Sequence, residues 1–506
     1  MIATSQRLAS EAGLAAIRRG GNAVDAVLTA AIALPLLEPT GNGLGSDSFA
    51  IVSCDGELHG LNACGRSPAA FTAERFTGRA KIPPWGWDAV TVPGAVSGWV
   101  ELSRRFGRLE FAELFKPAIR FAREGFEVQE ITAAAWARSV EVFKEFEGFR
   151  RIFAPDGRAP GAGEIFRSEA MARAYELIAE SAGEAFYTGE IAQEIASCAA
   201  RDGGLLTLAD LAAHRAEWVE PLRIDYRGVT LHELPPPGQG IAALIAAGIL
   251  REFDLPSMAP RSVRALHLQI ESMKLAFKET YRHVADPAHM SVAFQELIDE
   301  TRLKELAALI DPEHAQDFNH GGGDRGGTVC LSAADDEGMM VSFIQSNYRG
   351  FGSGVVIERY GVSLQNRGCG FTLAEGHPNR AAGAKLPFHT IIPGFVTKAG
   401  EPLMVFGLMG GPMQPQGHLQ VLSSMFDWGL TPQQASDLPR WQVTEGLELL
   451  VEREFDADAL SALESMGHAP RRTGMGAFGG AQIILREDDG SYVGGSDHRK
   501  DGSAAC

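Results

Sequence analysis

The stretch His320-Gly-Gly-Gly-Asp-Arg-Gly-Gly327 divides this chain into two textures. None of its eight residues carries an apolar side chain, so nothing in it anchors a core. Glycine leaves its backbone free to turn, and the reading is a flexible, exposed segment. Before it, apolar residues recur mainly at helical spacing. After it, they mainly alternate. A chain with helices in its first two thirds and strands in its last third folds most simply as helices packed outside stacked sheets.

Local signals fill in the elements. Leu8, Ala12, Ala15 and Ala16 mark a first helix that Gly20-Gly21 stops, and Asn22 caps a second that runs to about Leu37. Gly41-Asn-Gly-Leu-Gly-Ser-Asp is a turn into the strand Ser48–Ser53, and Asp55-Gly56 is a hairpin signal before Leu58–Asn62. Residues 95–215 read as largely helical with a break near Pro155–Gly163, and Ile241–Glu252 and Ser262–His283 read as helices. Tyr226–Leu234 reads as a strand. Beyond the glycine segment, Thr328–Ala333, Met340–Ser346, Val355–Glu358, Gly361–Leu364, His389–Ile392, Leu403–Phe406 and Gln482–Arg486 do too. Gln414–Trp428 and Pro432–Asp437 are the late helices.

Several chemistries are excluded early. Lys plus Arg total 46 against 64 Asp plus Glu, a net charge of −18 with no basic patch, so no nucleic-acid partner is expected. The longest apolar run, Ala26–Leu37, falls short of the roughly 20 residues that span a bilayer. No signal-peptide pattern follows Met1, so the expectation is a cytoplasmic protein with no membrane partner. The six cysteines are scattered without a CxxC pair, and no HExxH, zinc spacing, Walker loop or GxSxG elbow occurs. Gly41-x-Gly-x-Gly opens a strand after a helix, the reverse of a dinucleotide site.

The junction at Thr328 carries the chemistry. If the Gly327–Thr328 bond is cut, Thr328 gains a free α-amine beside its own hydroxyl. A threonine hydroxyl needs a base to become a useful nucleophile, and an α-amine with a pKa of about 7.7–8.0 is a suitable one. Local pattern alone fits a β-favouring threonine after a loop better than a nucleophile. The wider sequence reverses that.

Thr328-Val-Cys-Leu-Ser-Ala-Ala-Asp-Asp-Glu-Gly, Phe351-Gly-Ser-Gly354 and Gly361-Val-Ser-Leu-Gln-Asn366 resemble the small subunit of the γ-glutamyltransferase family. Gly20-Gly-Asn-Ala-Val-Asp-Ala26, Val92-Pro-Gly-Ala-Val-Ser-Gly98, Gly203-Gly-Leu-Leu-Thr-Leu-Ala-Asp-Leu211 and Pro235-Pro-Pro-Gly238 resemble its large subunit. Gly429-Leu-Thr-Pro432, Leu438-Pro-Arg440 and Gly495-Ser-Asp-His-Arg499 resemble its C-terminus. The resemblance implies an α+β fold, the Ntn-hydrolase αββα sandwich of two stacked antiparallel sheets with helices outside. It also implies a precursor that cuts itself into a large subunit, 1–327, and a small subunit, 328–506. By the same resemblance Thr328 is the nucleophile and Ser346 stands for the hydroxyl that supports its amine. Gly410 and Gly411 stand for the pair whose amides hold the oxyanion. No metal or organic cofactor is implied.

The departures concern substrate. The acidic residue that holds the glutamyl ammonium in the transferases is matched by Gly370, with Arg367 nearby. The Ser-Ser pair for the α-carboxylate is missing around Leu386-Pro-Phe-His389, and the carboxylate-binding arginine aligns with Cys64, two residues before Arg66. Arg66 and Arg367 therefore suggest an acid substrate without a free amine, since arginine forks suit carboxylates. Tyr348 and His389 are weaker candidates for the pocket wall. Ser342-Phe-Ile-Gln-Ser346, Gln365-Asn-Arg-Gly368, Phe388-His-Thr-Ile391 and Met409-Gly-Gly-x-x-Gln-Pro-Gln416 resemble the branch of oxamate amidohydrolases and transferase-like acylases. The leading expectation is thus a self-cleaving hydrolase of small carboxylate-bearing amides. A γ-glutamyltransferase acting on glutathione-like donors and an uncleaved, non-enzymatic binding protein are the alternatives. The expected partners are the small-molecule substrate and the two subunits of one precursor, and a homo-oligomer is compatible with all of this.

Overall fold

The structure, a computed structural model, describes residues 1–322 and 326–506. The centre of the glycine-rich segment, with Asp324, lies outside the described residues.

Chain order begins with β1 (Ile2–Thr4), α1 (Arg7–Arg18) and α2 (Ala23–Leu37). Asn22 starts α2 as its sequence suggested. Its Oδ1 accepts from the Asp25 amide at 3.0 Å, and Asp25 Oδ2 accepts from the Asn22 amide at 3.0 Å, a closed capping box. Every residue of α2 is buried, which is why it is apolar all round instead of striped. The hairpin β2 (Asp47–Cys54) and β3 (Glu57–Ala63) follows, with left-handed Asp55 (φ 52°) and Gly56 (φ 79°) at its turn. Then come α3 (Ala95–Phe106), α4 (Phe111–Glu124), β4 (Glu217–Val219), β5 (Leu222–Tyr226) and β6 (Val229–Glu233). Next are α5 (Gly240–Leu250) and α6 (Val263–His283). The last part holds β7 (Gly327–Ala334), β8 (Met340–Tyr348), β9 (Gly394–Lys398), β10 (Glu401–Leu408) and α7 (Met413–Phe426). It closes with β11 (Ala481–Arg486), β12 (Tyr492–Ser496) and β13 (Ser503–Ala505).

The long strands form two antiparallel sheets. One runs β13-β1-β7-β8-β2-β3-β4, the other β12-β11-β10-β9-β6-β5. Alternate residues of each strand serve different cores. Cys330 and Ile344 share an apolar cluster with Phe395, Val405 and Ile484 of the other sheet. Their neighbours Val329, Leu331 and Phe343 pack instead with Ala30, Leu34 and Phe115 of α2 and α4. On the second sheet Val396, Phe406 and Ile483 pack with Ile245 and Leu422 of α5 and α7. Strands buried on both faces lose the apolar–polar alternation of a half-exposed sheet.

Two expectations need correction. His389–Ile392 is not a strand. Its backbone groups are drawn elsewhere: the His389 carbonyl accepts from the Gln239 amide (2.9 Å), the Thr390 carbonyl from Gln239 Nε2 (2.6 Å), and the Ile392 amide donates to Gln414 Oε1 (3.0 Å). The segments near 355–364 shrink to the two-residue strands Val356–Ile357 and Val362–Ser363. The three-residue β1 and β13 were invisible because so short a run shows no periodicity. Among the described residues no helix is long and apolar enough to cross a membrane.

The α2 cap is the testable local claim. Asn22 also donates to the Phe106 carbonyl at 2.6 Å, so Asn22→Ala removes a cap and a tertiary hydrogen bond. It should destabilise the protein by about 1–2 kcal/mol, read as a lower melting temperature.

Candidate active site

The site grows from the first turn of strand after the glycine segment. Thr328 is the second residue of β7 and is buried. Its Oγ1 stands 2.7 Å from the Gly327 carbonyl oxygen and 3.3 Å from Ser346 Oγ. Ser346 Oγ donates to the same carbonyl at 2.6 Å and accepts from the Tyr348 amide at 2.8 Å. Two hydroxyls therefore converge on the one peptide carbonyl that precedes Thr328. A β-bulge makes this possible. The β7–β8 register shifts between Gln345 and Tyr348, and Tyr348 takes a left-handed backbone (φ 75°), rare for an aromatic residue inside a strand.

The glycines beside Thr328 are a fit as well as a flexible link. A Cβ on Gly326 would lie 2.7 Å from the Tyr348 carbonyl oxygen, and one on Gly327 would lie 2.8 Å from that of Thr40. Neither space admits a side chain. His320, at the other end of the segment, is buried. So the segment is not exposed throughout, as composition had suggested.

Gly410 and Gly411 join β10 to α7, both with positive φ (112° and 62°). Their carbonyls accept from the Met413 and Gln414 amides in the first turn of the helix. Among the described residues neither of their own amides has an acceptor. Gly411 Cα lies 3.4 Å from the Cβ position of Gly326, so this turn packs against the residue before Gly327. Gln239 fixes the arrangement: its Nε2 donates to both Gly411 (2.8 Å) and Thr390 (2.6 Å) carbonyls.

Arg367 is buried beside this centre. Its guanidinium carbon stands 4.1 Å from the Tyr348 ring centroid, and Nη1 donates to Thr390 Oγ1 at 2.8 Å. Among the described residues Nη2 has no acceptor. Burial pulls its pKa down, while Tyr348 and Asp47 push it up. Tyr348 and Thr390 line a cavity of about 380 Å³ together with Lys81, Gly370, Phe388 and Pro412.

His389 does not line that cavity. It is fully buried, with Nε2 3.0 Å from Asp47 Oδ2, while Nδ1 accepts from the Ile391 amide at 3.4 Å. The ring therefore carries its proton on Nε2, and burial plus the Arg367 charge hold its pKa well below the usual value. Asp47 Oδ1 accepts from the Gly65 (3.2 Å) and Gly94 (3.1 Å) amides. Both glycines are forced by packing, since their Cβ atoms would lie 1.6 Å from the Val92 and 1.9 Å from the Ala63 carbonyl oxygens. Burial pushes the Asp47 carboxyl up to about 7, against the lowering effect of Arg367 and the two amides.

Arg66 stands apart. It pairs with Asp286 (3.0 Å) and Glu217 (3.5 Å), and lines a separate groove of about 1440 Å³. The two arginines are not brought together. Asp47, Thr390 and Gln239 were missed by sequence reasoning; only Asp47, inside a glycine-rich turn, carried any local signal. The fold also gathers His267, Glu271 and His468 within 4.8 Å. There His267 and His468 bond each other at 2.9 Å, and the Lys274 ammonium sits on Glu271 at 2.7 Å, so a positive charge already occupies the cluster.

Residues 9–506 match the family model described as gamma-glutamyltranspeptidase. The chain is 36% identical to the oxamate amidohydrolase proenzyme of Klebsiella pneumoniae, covering 100% of this chain and 98% of that one. It is 34% identical to the glutathione hydrolase-like YwrD proenzyme of Bacillus subtilis, with the same coverage. Among solved structures, the cephalosporin acylase from Bacillus halodurans is similar at a TM-score of 0.96 and 45% identity, over 100% of this chain and 95% of that one.

Asp47 gives a pH prediction. Its folded pKa lies above the unfolded carboxylate value of about 3.9, so between the two the folded state holds a proton that the unfolded state has released. Its contribution to stability is present below about pH 4 and lost as pH rises through about 7. Asp47→Asn cannot titrate. Relative to the unaltered protein, the variant's melting temperature should therefore be higher at pH 8 than at pH 5.

Proposed function

The chain belongs to the gamma-glutamyltranspeptidase family, whose enzymes act on C–N bonds, and we propose that it is a self-cleaving hydrolase of small amides that carry a carboxylate. The αββα layering implied by the two sheets and their outer helices is the scaffold of this reading.

Maturation comes first. Thr328 Oγ1 attacks the Gly327 carbonyl carbon while Ser346 donates to the carbonyl oxygen. The C–N bond breaks, an ester forms, and water hydrolyses it to a Gly327 carboxylate and a free Thr328 amine. The relatives' names as proenzymes accord with such a cut into 1–327 and 328–506. In turnover the freed amine takes the Thr328 hydroxyl proton, and the oxygen attacks the substrate amide. The Gly410 and Gly411 amides receive the oxyanion, a contribution of several kcal/mol when two donors are preset. The protonated amine passes its proton to the leaving nitrogen, and water then releases the acyl group from the threonyl ester.

The observation that carries the substrate class is Arg367: a buried guanidinium with one nitrogen unbonded among the described residues, its two contacts Tyr348 and Thr390 both on the cavity wall. Arg367 backs that wall behind Tyr348 and Thr390, so its positive charge favours a carboxylate in the cavity and repels a substrate ammonium. Gly370, lining the same cavity, offers no acid to offset it. This favours amides such as oxamate, the substrate named for the Klebsiella relative, over γ-glutamyl donors. Arg66, paired on a different groove, is left out of the anchor.

Thr328→Ala should stay at full length on a denaturing gel, and Thr328→Ser should still cleave in part. Sequencing the small fragment of the unaltered protein should read Thr-Val-Cys-Leu; another start in an active preparation overturns the nucleophile. Turnover of γ-glutamyl anilide without turnover of oxamate overturns the substrate class. Arg367→Met should cut kcat/KM for the carboxylate amide by about 100-fold, the scale of losing a charge-assisted bond.

A further inference from the structure

Two basic side chains, Lys81 and His377, line the cavity that Tyr348 and Thr390 wall, and among the described residues no carboxylate does. His377 is already engaged. Its Nε2 stands 3.0 Å from the Tyr281 carbonyl oxygen, and its Nδ1 accepts from the Asn379 amide at 3.0 Å. Lys81 is open: among the described residues its ammonium has neither an ion-pair partner nor a hydrogen-bond acceptor.

The Lys81 side chain is exposed, but its place is set by neighbours that are not. It lies in the connection between β3 and α3. Ile82, the next residue, is buried in an apolar cluster with Phe71, Phe76, Phe371 and Ala381. Two residues further on, the Pro84 carbonyl accepts from Asn366 Nδ2 at 2.8 Å. Pro83 and Pro84 fix φ and stiffen the stretch between these pins. Phe371 follows Gly370 on the cavity wall, and Asn366 precedes Arg367. The connection is therefore fastened at two points to the segment that carries both residues.

Depth orders the wall. Tyr348, Thr390 and Phe371 are buried, and Tyr348 is bonded to Ser346, which puts the inner end beside the Thr328 centre. Ala80 and Lys81 are exposed and form part of the rim. At about 380 Å³ the cavity falls in the range of ordinary small-molecule sites and has room for more than oxamate. Arg367 acts on an anion there only from behind the wall. A carboxylate leaving water also needs a donor in contact, or its lost hydration goes unreplaced. A lysine ammonium, three donors on a flexible four-carbon stem, can supply that from a rim.

We propose that Lys81 binds the substrate carboxylate directly and is a specificity-determining residue that the 1–327 part contributes to a cavity walled mainly by the 328–506 part. The proposal rests on the reading of the substrate as a carboxylate-bearing amide. With the amide at Thr328, the carboxylate points outward to the Lys81 ammonium. No acid on the wall competes for that ammonium, and a neutral amide of the same shape gains nothing from it.

The test compares oxamate and succinamate, each with its uncharged methyl ester, as substrates of the mature enzyme. Whichever acid is turned over faster carries the comparison. The quantity read is the ratio of kcat/KM for the acid amide to that for its ester. In Lys81→Met this ratio should fall about tenfold, through KM more than kcat. Lys81→Arg should restore most of it, and Lys81→Glu should lower it further. Added salt should narrow the ratio in the unaltered enzyme and hardly change it in Lys81→Met. An unchanged ratio in Lys81→Met overturns the proposal alone, as does an equal loss of kcat on acid and ester. A Lys81→Met chain that stays uncut on a denaturing gel also overturns it, because the residue then serves maturation. If the unaltered enzyme turns over neither acid, or favours the ester, the carboxylate reading beneath it falls instead.

Discussion

The central constraint is the place of β8 between β7 and β2. A strand in mid-sheet has its register fixed on both sides, because a slip by one residue would turn every buried side chain to the wrong face. With both faces of these strands in apolar cores, that error is prohibitive. The register sets Ser346 opposite Asp47 on one side, and the bulge beside it lets its hydroxyl reach the Gly327 carbonyl on the other. The positive φ of Tyr348 is the local cost. Its ring lies against the Arg367 guanidinium.

Around this row the molecule uses glycine for closeness more than for freedom. Gly65 and Gly94 bring amides onto Asp47, and Gly326 and Gly327 thread between carbonyls that leave no room for a Cβ. Gly410 and Gly411 turn the chain from strand to helix, and Gly411 packs against Gly326.

The electrostatics follow from burial. Burial lowers the pKa of Arg367 and raises that of Asp47, each charge offsets part of the other's shift, and His389 is held neutral against Asp47. Arg66 shows the contrast: a half-exposed arginine already satisfied by Asp286 and Glu217 has little left to offer a ligand.

Much of the fold was legible because its signals are local. The Asn22 cap, the Asp55-Gly56 turn, the alternation after Thr328 and the helices that cover the second sheet each depend on a few neighbouring residues. The motif around Thr328 marked the place where the Thr328 and Ser346 hydroxyls meet the Gly327 carbonyl, and Gly410-Gly411 marked the turn that packs against Gly326. What only tertiary structure decided are relations between segments hundreds of residues apart. His389 left its expected strand and the pocket wall because Asp47, 342 residues earlier, and Gln239 claim that segment's hydrogen-bonding groups. The two candidate arginines differ in the same way: the linear reading gave them equal standing, and packing set Arg66 in ion pairs with Asp286 and Glu217 while it buried Arg367 against Tyr348 and Thr390. Periodicity and turn chemistry act over a few residues and survive in a linear reading, whereas pairing of buried charges is settled only when distant strands share one interior.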